Sequence, residues 1–290
     1  MSVYKSFAVV GGGHIGLPIL AALAAKNAAV ILLSRPGTST KTGIPSGVPV
    51  IQVDFSDAAA VAAVLKEHNV DVVVSTISGT AIMAQKPLVD AAKLAGVKLF
   101  VPSEYGMASN AHTAEVLGGQ NTIAAYLKSA GVPSTRIYAG TKCGVIQVGL
   151  FTEFIPWLFE DGKLKVIRGK GDIPVSFTSI PDMSGFVAHV LTTVPPSELE
   201  DRTLRLEGER SSFNGLAAQF TNISVEHVDS IAGEGADFKA LLLQALATGP
   251  GSSGWDGARK AEGTRNNAAG SANALSPGHQ WQTIKQVHKL

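Results

Sequence analysis

The first 150 residues alternate between two kinds of segment, and that alternation leaves few folds open. Short continuous apolar runs lie at Phe7–Val10, Ala29–Leu33, Val48–Val53, Val70–Ser75, Val97–Val101 and Thr135–Tyr138. Between them come stretches of helical character, Ile15–Ala25, Asp57–Glu67, Ala84–Leu94 and Asn121–Ala130. A strand that is apolar on both faces has to be covered on both. Such strands separated by helices read as βαβ units with right-handed crossovers. The expected class is therefore α/β, a doubly wound parallel sheet. The punctuation agrees. Pro18 falls in a first helical turn, where its missing N–H does no harm. Ser56 or Asp57 is placed to cap a helix, and Gly96 and Gly131 stand where helices close.

One strand-to-helix turn carries a fingerprint. Gly11-Gly12-Gly13-His14-Ile15-Gly16 holds Gly-x-Gly-x-x-Gly directly after the first strand and at the start of the first helix. That is where a Rossmann dinucleotide-binding turn requires it. Gly11 permits the tight turn, Gly13 lets the backbone approach a pyrophosphate, and Gly16 lets helix and strand pack closely. The N–H groups of Gly13, His14 and Ile15 face the phosphates at a helix N-terminus. The end of the second strand selects the nucleotide. Leu33-Ser34-Arg35 carries no acid for a ribose 2′-hydroxyl, and the next acid is Asp54. Arg35, with Ser34 and Lys41, suits a 2′-phosphate, so the expected cofactor is NADP(H). Ligands of such sheets bind outside the carboxyl ends of the strands. Thr76, Ile77 and Ser78 are then expected on the adenosine side, and Pro102 and Ser103 near the nicotinamide.

Composition narrows the remaining classes. With 45% hydrophobic and 16% charged residues among 290, the chain can bury a full core. A net charge of +1 gives no electrostatic footprint for nucleic acid and no polybasic membrane patch. The lone Cys143 excludes a disulfide framework and a thiolate zinc cage, and no His, Asp or Glu cluster has ligand spacing, so no metal is expected. Ile15–Leu33 is broken by Lys26 and Asn27, short of a membrane span. No leader-like segment opens the chain, and a cytoplasmic protein with a small-molecule substrate is expected. The oligomeric state is left open.

Beyond Gly140 the pattern loosens. Phe151–Glu160 reads as a helix shortened by Pro156, and Lys165–Ile167 and Val175–Thr178 as strands on either side of a Gly169–Asp172 turn. Asp182 is placed to cap a helix over Met183–Leu191, and Leu204–Leu206 reads as a strand. Residues 248–276, rich in Gly, Ser, Ala and Asn, read as a loop or mobile segment, and Gln280–Leu290 as a docking helix. Residues 1–150 are thus expected to bind the cofactor. Residues 151–290 form a smaller substrate region interleaved with them.

Several segments together resemble the NmrA-like atypical short-chain dehydrogenases, and within them the isoflavone reductase-like group. They are Gly11–Gly16, Leu33-Ser34-Arg35-Pro36, Ser75-Thr76-Ile77-Ser78-Gly79, Gln85–Ala92, Phe100-Val101-Pro102-Ser103-Glu104-Tyr105-Gly106, Gly169–Asp172 with Asp182, and Leu206–Glu209. The resemblance implies an NADPH-dependent reductase of a small aromatic or secondary-metabolite substrate. It leaves two alternatives, an NADP(H)-binding sensor without turnover and a non-redox cyclase or isomerase that retains the cofactor. Two departures stand out. The group's glycine turn is usually Gly-x-x-Gly-x-x-Gly. Its reductases also carry a Lys at the start of the helix that precedes the Gly-Val-Pro-x-Thr segment, where this chain has Gln120-Asn121-Thr122, with Gln120 the best match. The Tyr-x-x-x-Lys pair of ordinary short-chain dehydrogenases is missing as well. The proton donors left by position are Lys142, Tyr105 and Thr122, while Gln120 can orient a substrate but holds no acidic proton. Phe151, Phe154 and Trp157 are candidates to wall an aromatic pocket.

Overall fold

The computed structural model describes residues 3–38, 42–77, 79–110, 112, 115–143, 159–160, 163–167, 169–221, 223–230, 232–233 and 236–288. They form two compact units. The first comprises residues 1–104, 111–137 and 184–204, and the second residues 105–110, 138–183 and 205–290.

The first unit is built on strands β1 (Ser6–Val10), β2 (Ala29–Ser34), β3 (Val50–Gln52), β4 (Val72–Ser75) and β5 (Leu99–Val101), with helices α1 (Gly16–Ala25), α2 (Ala58–Glu67), α3 (Gln85–Ala95) and α4 (Glu115–Ala130). The sheet is parallel, in the order β3-β2-β1-β4-β5. Val10 lies beside Leu33 on one side and Ser75 on the other. The strand order therefore reverses between β1 and β4, and a crevice opens at their carboxyl ends. Side chains alternate between the two faces of a strand. Ala8, Ile31, Val73 and Phe100 bury one face against Leu65 of α2, Val89 of α3 and Ile123 of α4. Phe7, Val9, Leu32, Val72 and Val74 are buried on the other, where α1 packs on β1 and β2 and hides Ile19, Leu20 and Leu23. Each such fully buried aliphatic side chain stabilises the fold by about 1.5–3 kcal/mol. Helices on both faces make this the doubly wound sheet that the apolar runs imply.

The caps follow the sequence. Asp57 caps α2, its Oδ1 accepting from the Ala60 N–H at 2.9 Å, and Gly96 closes α3 with φ +71°. Helix α4 starts at Glu115, earlier than the expected Asn121. Gly118 and Gly119 suggest a break, but a Cβ at Gly119 would stand 2.5 Å from Ile82 Cγ2, so the small residue serves close packing on the 79–84 turn. Strand β6 (Thr135–Tyr138) meets the main sheet through a single bridge, Phe100 to Ser134, and pairs instead with β11 (Arg202–Arg205), which follows the short helix α6 (Pro196–Leu199). The predicted Leu204–Leu206 strand is thus shifted toward the N-terminus.

Among its described residues the second unit holds two small sheets and a hairpin. β10 (Val175–Ser179) runs parallel to β7 (Thr141–Cys143) and antiparallel to β12 (Glu209–Ser211). β9 (Lys163–Ile167) runs parallel to β13 (Ser224–Val228) and antiparallel to β8 (Phe159–Glu160). β14 (Trp255–Asp256) and β15 (Ala261–Glu262) form the hairpin. Val175, Phe177, Phe213 and Leu216 of α7 (Phe213–Ala217), Leu243 and Leu246 of α8 (Ala236–Thr248), and Ile284 and Val287 of α9 (Ile284–His288) make its core.

Three expectations change here. Phe159–Glu160 is a strand rather than the end of a helix, and residues 151–158, with Phe151, Phe154 and Trp157, lie outside the described residues. Asp182 is not a cap. Helix α5 spans Ile180–Thr193, and Ser179 fills the capping role, its Oγ accepting from the Asp182 N–H at 3.0 Å. The Asp182 carboxylate instead accepts from His279 Nε2 at 2.8 Å and from the Gln282 N–H at 2.9 Å. Residues 248–276 are not an open loop, because Ser252 and Ser253 are fully buried. Arg205 donates to the Ser253 carbonyl oxygen, and Arg210 reaches Glu207, Ser252 and Glu262. Polar residues suggest a solvated loop, but here they satisfy one another inside the unit.

Candidate functional site

The glycine turn lies at the crevice of the first unit. Gly11 has φ +100°, a region that L side chains rarely adopt. Its N–H donates to the Leu33 carbonyl oxygen at 3.0 Å, which ties the turn to β2. Thr76, just past β4, donates through Oγ1 to the carbonyl oxygens of Val10 at 3.0 Å and Gly11 at 2.8 Å. A Cβ at Gly16 would fall 1.9 Å from the Gly11 carbonyl oxygen, so the start of α1 can press on the turn only as glycine. Gly13 is the opposite case. It is exposed, and a Cβ there would meet nothing within 4 Å. The N-cap of α1 is Ile15, which has no side-chain oxygen for the first-turn N–H groups. Leu17 N–H donates to the Gly13 carbonyl oxygen at 3.0 Å and Pro18 has no N–H, so the N–H groups of Ile15 and Gly16, with the helix dipole, are the ones left for an anionic ligand.

A cleft of about 630 Å³ opens on this turn. Gly11, Gly13, Ser34, Arg35, Thr76 and Ile77 line it together, so six of the residues singled out in the sequence share one wall. His14, Ile15 and Gly16 belong to the turn behind it. Lys41 and Ser78 lie outside the described residues. The cleft also takes in Asp54, Phe55 and Ser56 after β3, and Ala81, Met83, Ala84 and Pro87 around the start of α3. Sequence reasoning missed these. The β3 end could have been found, because the carboxyl end of any strand next to the crevice is a candidate wall. Asp54 Oδ1 accepts from the Ser56 N–H at 2.9 Å and from Ser56 Oγ at 2.8 Å, and these bonds hold its carboxyl below the usual range.

Pro102 and Ser103 follow β5. Ser103 is gripped from three sides. Its N–H donates to Gln85 Oε1 at 2.9 Å, its Oγ donates to the Ile77 carbonyl oxygen at 2.8 Å, and its carbonyl oxygen accepts from Gln120 Nε2 at 3.3 Å. The next residue, Glu104, is buried and bonds Arg136 Nε at 2.7 Å, while Arg136 Nη2 reaches Asn121 Oδ1 at 2.9 Å. Burial raises the Glu104 carboxyl above its ordinary range against the pull of the guanidinium.

The three candidate proton donors are not brought together by anything described. Thr122 is exposed on α4, and its hydroxyl donates to the Gly118 carbonyl oxygen at 3.1 Å. Tyr105 is buried in the second unit. Lys142 lies on β7, paired with Thr178, and its side chain is outside the described residues. No group of three metal-ligating side chains occurs among the described residues, and none of their helices is long and apolar enough to cross a membrane.

Comparison with known proteins places this architecture. The model of the NmrA-like family matches residues 4–247. Oxidoreductase aprR of Aspergillus flavus is 39% identical over 104 residues, which cover 35% of this chain and 34% of that protein, so the chain matches about a third of that relative's length. Oxidoreductase BOA1 of Botryotinia fuckeliana is 35% identical over 236 residues, 72% of each chain. Among solved structures, one described as AtPrR2 with NADP+ and (+)pinoresinol superimposes with a TM-score of 0.74 at 21% identity, over 98% of this chain and 97% of that one. The chain belongs to the NmrA-like family.

Proposed function

We propose that the protein is an NADPH-dependent reductase of a small aromatic substrate. The carrying observation is the cleft itself. It pairs a glycine turn left open at Gly13 with Arg35 at the end of β2, where no acid stands to receive a ribose 2′-hydroxyl. The residues present fit the dinucleotide. The Gly11–Gly16 turn and the Gly16 N–H at the start of α1 would hold the pyrophosphate, with Thr76 keeping the turn in shape. Arg35 and Ser34 would take the 2′-phosphate, and the adenosine would lie along Thr76 and Ile77 beside the Asp54-Phe55-Ser56 wall; Lys41 and Ser78 are assigned to these two ends from the sequence alone. Pro102 and Ser103 border the nicotinamide end. The cofactor supplies hydride. Support also comes from the relatives named oxidoreductases and from the similar structure described as holding NADP+ and (+)pinoresinol.

Removing the guanidinium removes a charge-assisted contact worth about 1.5–3 kcal/mol. Arg35→Ala should therefore weaken NADPH binding by about tenfold or more and leave NADH nearly unchanged. Titration of both nucleotides checks this, and equal weakening of the two would overturn the assignment. For proton supply we propose Lys142, with Tyr105 next. Lys142→Ala should lower kcat by about 10²–10⁴-fold at unchanged NADPH affinity. A wild-type rate in that variant would remove Lys142 and make Tyr105→Phe the next test.

One observation favours a second reading, a cofactor-binding sensor without turnover. Gln120 stands where the resemblance to the reductases implies a Lys, and the neighbouring Thr122 hydroxyl is bonded to its own helix. A hydride-transfer assay over aldehydes, ketones, enones and imines separates the two.

A further inference from the structure

The side chain of Glu104 is wholly buried, one residue past Ser103. Its Oε2 accepts from Arg136 Nε at 2.7 Å, while its Oε1 is buried and has no hydrogen-bond partner. Taking two charges out of water often costs more than their attraction returns, so an apolar pair of similar volume would hold the fold as well or better. A pair left half satisfied is weaker still as a stabiliser. Its placement is what sets it apart. Arg136, on β6, has a side chain only 17% exposed, and it spans two elements. Nε holds Glu104 after β5, and Nη2 donates to Asn121 Oδ1 on α4 at 2.9 Å. The residues just before these two are Ser103 and Gln120, which are themselves bonded, Gln120 Nε2 to the Ser103 carbonyl oxygen at 3.3 Å. One planar guanidinium therefore fixes the neighbours of both partners in that contact, which the single point charge of a lysine does not do. The Glu104 N–H donates to the Pro102 carbonyl oxygen at 2.8 Å, so the turn from Pro102 to Glu104 is closed on itself.

We propose that Arg136 and Glu104 are positioning residues that set the Pro102–Ser103 segment, and through it the bound nicotinamide. The inference rests on the reductase reading above, in which that segment borders the nicotinamide end. Neither side chain touches the ligand, and both act through the main chain of the turn. The bonds made to Ser103 by Gln85, Ile77 and Gln120 come from uncharged groups. They leave the end of the turn to the ion pair, whose charge-assisted bond is shorter than the amide bonds beside it. A binding wall has to be held to within roughly 0.5 Å by side chains that are themselves locked, and the buried pair supplies such a lock.

The test titrates NADPH against adenosine 2′,5′-bisphosphate, which keeps the adenosine and the 2′-phosphate and lacks the nicotinamide. The wild type should bind NADPH the more tightly of the two. In the double variant Glu104→Met with Arg136→Met, both charges give way to apolar chains, and the preference for NADPH should fall by at least about tenfold. Affinity for the bisphosphate should hold, and the unfolding temperature should stay level or rise. A merely structural role would weaken both nucleotides alike. Glu104→Gln, which keeps an oxygen for Arg136 Nε, should retain the preference. Arg136→Lys, whose single ammonium does not span Glu104 and Asn121, replaces the double variant if that one does not fold, with the same fall expected. An unchanged preference, or equal weakening of the two nucleotides, overturns the inference and leaves the reductase reading intact, as does a wild type with no preference for NADPH. Failure of the wild type to bind either nucleotide overturns both.

Discussion

Gly16→Ala should destabilise the protein by about 3 kcal/mol or more, near the upper end for an overpacked core. The added methyl would sit 1.9 Å from the Gly11 carbonyl oxygen and 2.5 Å from Thr76 Oγ1. Neither neighbour can yield cheaply. The first is backbone in a turn already at positive φ, and the second is held by two carbonyl oxygens. For a chain of this size that corresponds to a Tm lowered by roughly 5–10 °C. Thermal and denaturant unfolding of the variant check it. A loss under about 1 kcal/mol would show that α1 and the turn do not press together as described.

Gly13→Val, three residues earlier, should do the reverse. Its Cβ meets open space, so the unfolding transition should stay within about 0.5 kcal/mol of wild type, as for an exposed substitution away from special features. Binding should collapse, because the branched side chain occupies the space through which a pyrophosphate would approach the backbone. A fall in NADPH affinity of about a hundredfold or more is expected, a loss of roughly 2.7 kcal/mol. Titration of the folded variant decides it, and wild-type affinity would mean that the turn is not the phosphate site. The two glycines stand in one motif, yet the fold needs one, and the proposal assigns the other to the ligand.

The first unit was legible in the sequence because its signals are local. An apolar run such as Ala29–Leu33 has one physical solution, a strand buried on both faces, and Gly96 closes its helix wherever it is met. The turn at Gly11–Gly16 could be placed because the strand before it and the helix after it are both readable. Where pairing is not local, the sequence says less. The letters of Thr135–Tyr138 mark a strand but not its partner, which comes from β11 far along the chain. Asp182 before an apolar stretch has every mark of a cap, yet Ser179 takes that role and frees the carboxylate for residues a hundred positions away. The cleft was half legible for the same reason. Arg35 and Thr76 follow strands that announce themselves, whereas Met83 and Pro87 reach it only through the turn before α3.

The way the last forty residues are fastened bears on how such a chain can change. Arg205 grips the carbonyl oxygen of Ser253, Asp182 the N–H of Gln282 and Glu209 the N–H of Ile284 at 2.6 Å. In each case the tail offers a main-chain atom, which nearly every amino acid possesses. Substitutions at these three positions of the tail can therefore accumulate without loosening them, provided the anchoring side chains upstream persist, whereas Glu262, Asn273 and His279 bond Arg210, Glu207 and Asp182 through their own side chains. The family match stops at residue 247. A comparison of shapes still follows the backbone, and it runs over 98% of the chain.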